Sequence, residues 1–202
     1  PYFLNDAGID DSGWKTASAE QCLSFILSLG VSVRYRFSRN LRGFHFPGRS
    51  NRERIKEDSV NFLIKKAAEN QFQYRLNDED HLRIFRFIQR TESVEDILYI
   101  PDIFQDRDIF CFLPRLGFVS SCPTNLGNGN KLSVRLKVPY SKKIILSSLF
   151  HFFDIGFSDF NQTLKSFTAE ISAKNLNQRN LTAVLRFLSS FIQFVGTKPF
   201  SE

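Results

Sequence analysis

The 202-residue chain has no methionine, one tryptophan, three histidines and three cysteines. Nothing else in the sequence explains the missing methionine. Cys22, Cys111 and Cys122 form no C-x-x-C pair and no even set. A disulfide framework is therefore not expected, and a reducing, cytoplasmic setting is. Three histidines without ligand spacing make a zinc site unexpected, and no metal-binding residue is assigned. No apolar run approaches the ~20 residues of a membrane span. The longest, Ile144 to Phe153, is interrupted by Ser147, Ser148 and His151, so no membrane partner is expected. The first residues, PYFLNDAGIDD, lack the basic region of a secretory leader, and none is expected there. No internal repeat or low-complexity segment is visible, which excludes solenoid and fibrous classes.

What is present is a globular composition, 42% apolar with 23 phenylalanines, so an aromatic-rich core is predicted. The length fits one domain with a core of ordinary size. A net charge of +6 points to anionic partners: nucleotide phosphates, nucleic acid or acidic proteins. Nucleic acid is the weakest of these, because no RNP, KH or helix-turn-helix signature accompanies the charge.

Along the chain, residues 1 to about 19 read as a loosely tied terminus within an N-terminal segment that ends near residue 30. A helix is predicted from Ser18 or Glu20 to Ser28, stopped by Gly30. Val31 to Phe37 alternates, with Val31, Val33, Tyr35 and Phe37 inward and Arg34 and Arg36 side by side on the other face. Leu41 to Arg49 reads as a loop. Ser50 to Glu53 fits a capping box opening a helix to about Asn70, with Ile55, Phe62, Leu63 and Ala67 on one stripe. Strands are predicted at Phe72–Leu76 and His81–Ile88 around an Asn77–Asp80 turn, and a short helix at Ser93–Ile100. Phe110 to Pro114 is apolar and fits the end of a helix. Lys143–Phe153 reads as a helix, Asp154–Thr163 as loop or strand, Phe167–Ile171 as a strand, and Asn177–Val195 as a strong helix closed by Gly196. Strands without regular βαβ alternation predict an α+β fold, an antiparallel sheet flanked by helices.

The stretch Gly117 to Pro139, GFVSSCPTNLGNGNKLSVRLKVP, organises the rest. An apolar run leads to Cys122-Pro123, then to a turn cluster of Asn125, Gly127, Asn128, Gly129 and Asn130. A strand follows, with Leu132, Val134, Leu136 and Val138 on one face and Lys131, Ser133, Arg135 and Lys137 on the other.

CPTNLG followed by a basic residue and SV resembles the reactive-cysteine signature of the ATP:guanidino phosphotransferases, the phosphagen kinases and bacterial protein-arginine kinases. NDEDHLRI at Asn77–Ile84 resembles the family's N-E-E-D-H-L-R-[IV] segment. RYRFSRNL at Arg34–Leu41 resembles its S-x-R-x-R-x-x-R-N-L segment, closest to the bacterial branch. The three motifs occur in the family's order. The resemblance implies a compact catalytic domain over residues 31–202, with ATP and Mg²⁺ as cofactors. It implies nucleotide and arginine, free or in a protein, as partners. By the same resemblance Arg34, Arg36 and Arg83 hold nucleotide phosphates, and Lys131 stands where the family has an arginine. Lysine keeps that charge but loses the bidentate fork. Glu79 falls on the carboxylate that orients the guanidinium substrate, and Cys122 on the reactive cysteine.

The departures are equally specific. Between Arg49 and Phe72 the family has a much longer segment. Its mobile R-G-x-x-G-E loop, which supplies a phosphate arginine and a second carboxylate, corresponds to DIGFSDFNQTLK at 154–165, which has no arginine and no glutamate. Asp154 and Asp159 are the acids there. Neither the family's small N-terminal domain nor the phosphoarginine-recognition domain of the bacterial branch is expected in these residues. Two readings follow. One is a guanidino kinase moving the ATP γ-phosphoryl to arginine. The other is a catalytically impaired pseudokinase that binds nucleotide, phosphoarginine or a regulatory protein partner.

Overall fold

The computed structural model describes residues 16–42, 61–90, 92–142, 154–161 and 165–196, the stretch 154–161 by its backbone alone. The predicted loose terminus before residue 16, most of the 41–49 loop, the start of the helix from Ser50 and the helix at 143–153 lie outside these residues.

Six strands form one antiparallel sheet. In chain order they are β1 (Ser32–Arg39), β2 (Gln73–Leu76), β3 (Leu82–Phe87), β6 (Asn130–Pro139), β7 (Asp154–Asn161) and β8 (Ser166–Lys174). Their order across the sheet is β2-β3-β1-β6-β8-β7. β4 (Phe112–Leu113) and β5 (Gly117–Phe118) make a separate small hairpin. The helices are α1 (Ala19–Ser28), α2 (Asn61–Glu69), the single turn α3 (Val94–Ile97) and α4 (Gln178–Val195).

One face of the sheet is the core. Val33, Tyr35 and Phe37 of β1, Leu82 and Ile84 of β3, Leu132, Val134, Leu136 and Val138 of β6, and Ala169 and Ile171 of β8 are all buried. The period of two seen in the sequence is thus realised strand by strand. α1 and α4 join this core through Cys22, Leu23, Ile26, Leu181, Leu185, Leu188 and Ile192. α1, read as the last part of an N-terminal segment, is tied to α4 by the Ser189 hydroxyl on the Cys22 carbonyl and by Arg186 Nε on the Ala17 carbonyl, at 3.3 and 2.6 Å. Both helices start in capping boxes, Ser18 with Gln21 and Asn177 with Asn180. α4 ends at Gly196 in a left-handed conformation, the stop predicted for it. Among the described residues no helix is long and apolar enough to cross a membrane.

Two local expectations change, and a third is settled between its alternatives. Phe62 is half exposed while Leu63 and Ala67 are buried, because only the pair four residues apart shares the row facing the sheet. Phe110–Pro114 is not helical: Phe110 bridges to Leu41, and Phe112 stacks edge-on against Phe118 across the hairpin at 5.2 Å. Four apolar residues before a proline carry no helical period, and cross-strand stacking decides the outcome. The 154–161 stretch, left between loop and strand, is the edge strand β7.

Candidate active site

The opposite face of the sheet is polar, and the register decides what meets there. Residues paired directly across an antiparallel ladder project to the same side. Arg36 pairs with Phe85 of β3 on one flank and with Lys131 of β6 on the other, and Lys131 pairs with Lys174 of β8. One row across four strands therefore reads Phe85, Arg36, Lys131, Lys174. The next row contains Arg34, Ser133 and Ser172, with the backbone of Asp154 in register beyond it. On the other side, Arg83 pairs with Ser38 and Arg75. The guanidinium groups of Arg34, Arg36 and Arg83 and the ammonium of Lys131, drawn from three strands, share one surface.

Their electrostatics differ. Arg34 donates to both oxygens of Glu170, at 3.0 and 3.2 Å, and Arg135 stands 3.5 Å from the same carboxylate. Burial alone would raise the Glu170 pKa, but Arg34, the Ser133 hydroxyl, Lys131 and Arg135 together hold it below its ordinary value. Arg83 is gripped by Asp78 at 2.5 Å and Glu79 at 3.0 Å, and its Nε is buried with no hydrogen-bond partner among the described residues. Arg36 has no hydrogen bond or ion pair through its guanidinium among the described residues. Burial first, then the neighbouring charges of Arg83 and Arg34, press its pKa down, against a weaker pull from Glu170 and Glu79. Arg36 is thus a partly buried cation within electrostatic reach of two others and of both site carboxylates.

The cysteine loop is sewn to the same corner. Cys122 caps a short 3-10 turn, Pro123–Asn125, and its own N–H donates to the Ser120 hydroxyl at 3.2 Å. Asn125 Nδ2 donates to Glu79 Oε2 at 3.2 Å, so one carboxylate oxygen receives both the loop amide and Arg83. Next to Glu79, the buried Asp80 accepts from the Ser120 hydroxyl at 2.9 Å and the Ser121 N–H at 2.8 Å. The Asn40 side chain closes the circuit, accepting from the His81 N–H and donating to the Ser121 hydroxyl. Two glycines are obligatory here. A Cβ on Gly117 would lie 2.5 Å from the Gly127 carbonyl oxygen, and one on Gly129 would lie 2.8 Å from the Ser38 carbonyl oxygen, each at positive φ. Cys122 is half-buried, whereas Cys22 is wholly buried and its thiol is pushed up by burial.

The structure therefore gathers Arg34, Arg36, Arg83 and Lys131 on one face and ties Glu79 to the loop that carries Cys122. Sequence reasoning missed Glu170, Lys174 and Asn125. β8 was read as the apolar run Phe167–Ile171, yet Thr168, Glu170, Ser172 and Lys174 alternate with it and mark the polar face. Among the described residues no group of three or more His, Cys, Asp or Glu is placed to hold a metal ion.

Comparison with known proteins agrees with this geometry. Residues 50–170 match the sequence profile of the ATP:guanido phosphotransferase C-terminal catalytic domain. The protein-arginine kinase of Bacillus licheniformis is 29% identical over 128 residues, which span 51% of this chain and 35% of that enzyme. That of Geobacillus thermodenitrificans is 32% identical over 88 residues, spanning 42% of this chain and 24% of the enzyme. The chain thus spans about a third or less of the length of these relatives. Among solved structures, the duplicated taurocyamine kinase from Schistosoma mansoni with bound transition state analog components shares the fold. Its TM-score is 0.50 at 18% identity, covering 81% of this chain and 32% of that one. A catalytic-domain profile that spans more than half of the sequence, on a sheet with this register, places the protein in the ATP:guanido phosphotransferase family.

Proposed function

We propose that this chain binds Mg-ATP on the polar face of its sheet and transfers the γ-phosphoryl to a guanidino group, arginine in a protein being the preferred acceptor. The observation that carries the reading is Arg36, a partly buried cation with no hydrogen bond or ion pair through its guanidinium among the described residues, flanked by Arg34, Arg83 and Lys131. Like charges set across neighbouring strands repel, and a polyphosphate between them removes that penalty. Phosphoryl transfer asks the protein for little besides position and positive charge around the transferred group.

In this scheme Arg34, Arg36, Arg83 and Lys131 hold the phosphates, and Mg²⁺ accompanies the nucleotide to neutralise charge developing on them. Glu79, already positioned by Asn125 and Arg83, accepts two N–H bonds from the incoming guanidinium and aims its nitrogen at the γ-phosphorus. The nitrogen–phosphorus bond forms as the bond to the β,γ-bridging oxygen breaks, ADP leaves, and Glu79 takes the proton the nitrogen loses. Cys122, on the loop that Asn125 joins to Glu79, stands beside the guanidinium as the second group that positions it. Glu79 must share or release Arg83 to do this.

One observation favours the second reading, a nucleotide-binding protein without turnover: residues 154–165 contain no arginine and no glutamate. Labelled Mg-ATP incubated with arginine and with an arginine-rich protein separates the two. Acid-labile label on either acceptor, lost in Cys122→Ala and Glu79→Gln, is the expected result. No transfer, with nucleotide binding that disappears in Arg34→Ala or Arg83→Ala, would establish the second reading instead.

A further inference from the structure

Arg39 belongs to the same motif as Arg34 and Arg36 but lies on the opposite, core face of β1, and it is only 1% exposed. A guanidinium has five N–H donors and cannot shed its charge easily, so burying one requires partners. Nε donates to the Phe104 carbonyl, and Nη1 to the carbonyls of Ser38 and Asn128, each at 2.9 Å. The group is stacked on Phe118, 3.8 Å from the ring centre. All these partners are neutral. Asp80 tempers the charge at a distance, but its carboxylate is engaged by Ser120 and Ser121. Burial accordingly drives the Arg39 pKa far down, to about 9. Both hydrogens of Nη2 lack an acceptor among the described residues.

A pocket of about 290 Å³ adjoins this guanidinium, lined by Arg39, Gln105, Phe118, Asn128, Asn177 and Gln178 among others, with no carboxylate in its described wall. The amino-terminal end of α4 opens onto it. Asn177 caps the N–H groups of Arg179 and Asn180. The Gln178 N–H, at the first helical position, has no intrahelical acceptor, and the positive end of the 18-residue helix dipole remains.

We propose that this pocket is a binding site for a phosphate-class oxyanion, free or carried on a phosphorylated side chain, distinct from the cation row on the other face of the sheet. The two N–H bonds of Arg39 Nη2 diverge in the guanidinium plane, so one of them serves an oxyanion oxygen as a charge-assisted donor. The Gln178 backbone N–H and carboxamide supply the rest, and the helix dipole favours the negative charge. The volume falls just below the range of about 300–1,000 Å³ typical of drug-sized ligands, so a small anion fits it better than a nucleotide. The anion also neutralises a buried cation that has no ion-pair partner among the described residues.

The test uses the full chain carrying Arg36→Ala and Lys131→Ala, so that phosphate drawn to the cation row does not contribute. Inorganic phosphate is titrated at constant ionic strength against chloride, followed by calorimetry and by backbone amide shifts. Saturable binding is expected, with the Gln178 and Asn128 amides shifting. Gln178→Glu sets a carboxylate at the pocket mouth yet suits the first turn of a helix, so the fold persists. It is expected to weaken phosphate binding by at least about tenfold. A phosphorylated peptide titrated in parallel separates the two sources: tighter binding than phosphate supports the carried anion, equal or weaker saturable binding the free one. No saturation by either probe, or affinity unchanged by Gln178→Glu, would overturn the proposal. The outcome is independent of whether the chain transfers phosphoryl groups.

Discussion

Replacing Arg36 with methionine separates what the fold wants from what the ligand wants. The substitution keeps an apolar stem of similar length and removes only the charge. Arg34 lies two residues along the same strand, about 7 Å away at strand rise. At an effective dielectric near 20, one like-charge pair at that distance costs about 2 kcal/mol, and salt and partial exposure cut this to well under half. Arg83 adds a second repulsion, while Glu79 and Glu170 offset part of the total. The net expectation is that Arg36→Met raises the free energy of unfolding by about 0.5–1 kcal/mol without nucleotide. Nucleotide binding should move the other way. Losing a charge-assisted hydrogen bond to phosphate costs about 1.5–3 kcal/mol, which is roughly 10- to 150-fold in Kd. Urea unfolding gives the first quantity and calorimetric titration with Mg-ATP the second. A variant that is less stable by more than about 1 kcal/mol and binds nucleotide as well as the parent would refute the reasoning, because Arg36 would then be a structural residue.

Other consequences can be checked separately. Glu170 has a folded pKa below its ordinary 4.5, so it adds stability above that pH which is lost as pH falls through the acid range. Glu170→Gln should therefore be less stable near neutrality, with a flatter acid limb in urea melts from pH 7 downward. Gly129→Ala should lose at least about 2 kcal/mol in urea unfolding, from left-handed strain and from the clash with the Ser38 carbonyl; a loss below about 0.5 would count against the loop geometry. Thiol labelling of the native protein should modify Cys122 and spare Cys22, which is 0% exposed, and Mg-ATP should slow the Cys122 reaction. Equal labelling of Cys22 would contradict the packing of α1 on α4.

Much of the fold was legible because two periods do most of the specifying. β1 and β6 alternate, and the apolar residues that the sequence puts on one side of each are buried. α4 carries its leucines at helical spacing between an asparagine cap and a glycine stop. The failures share a cause. Phe62 and the 110–114 run are short apolar patches whose burial depends on distant partners, and no local period records those partners. The site divides in the same way. Arg34, Arg36, Arg83, Lys131, Glu79 and Cys122 could be named from motifs, but their meeting on one surface depends on register, which a sequence does not display. Lys174 and Glu170 were overlooked because β8 was judged by its apolar residues, although its alternate polar positions face the same cations. Arg39 shows the limit most plainly: it sits three residues from Arg36 in one motif, and the pleat sends it to the opposite side of the sheet.

The most direct test of the cation row compares the affinities of ATP, ADP and AMP for the unmodified chain under identical Mg²⁺ and salt. If Arg34, Arg36, Arg83 and Lys131 converge on one polyphosphate, ATP and ADP should bind at least about tenfold more tightly than AMP, and the gap should shrink as salt rises. Equal affinity for all three, insensitive to salt, would mean that these cations do not hold the phosphates.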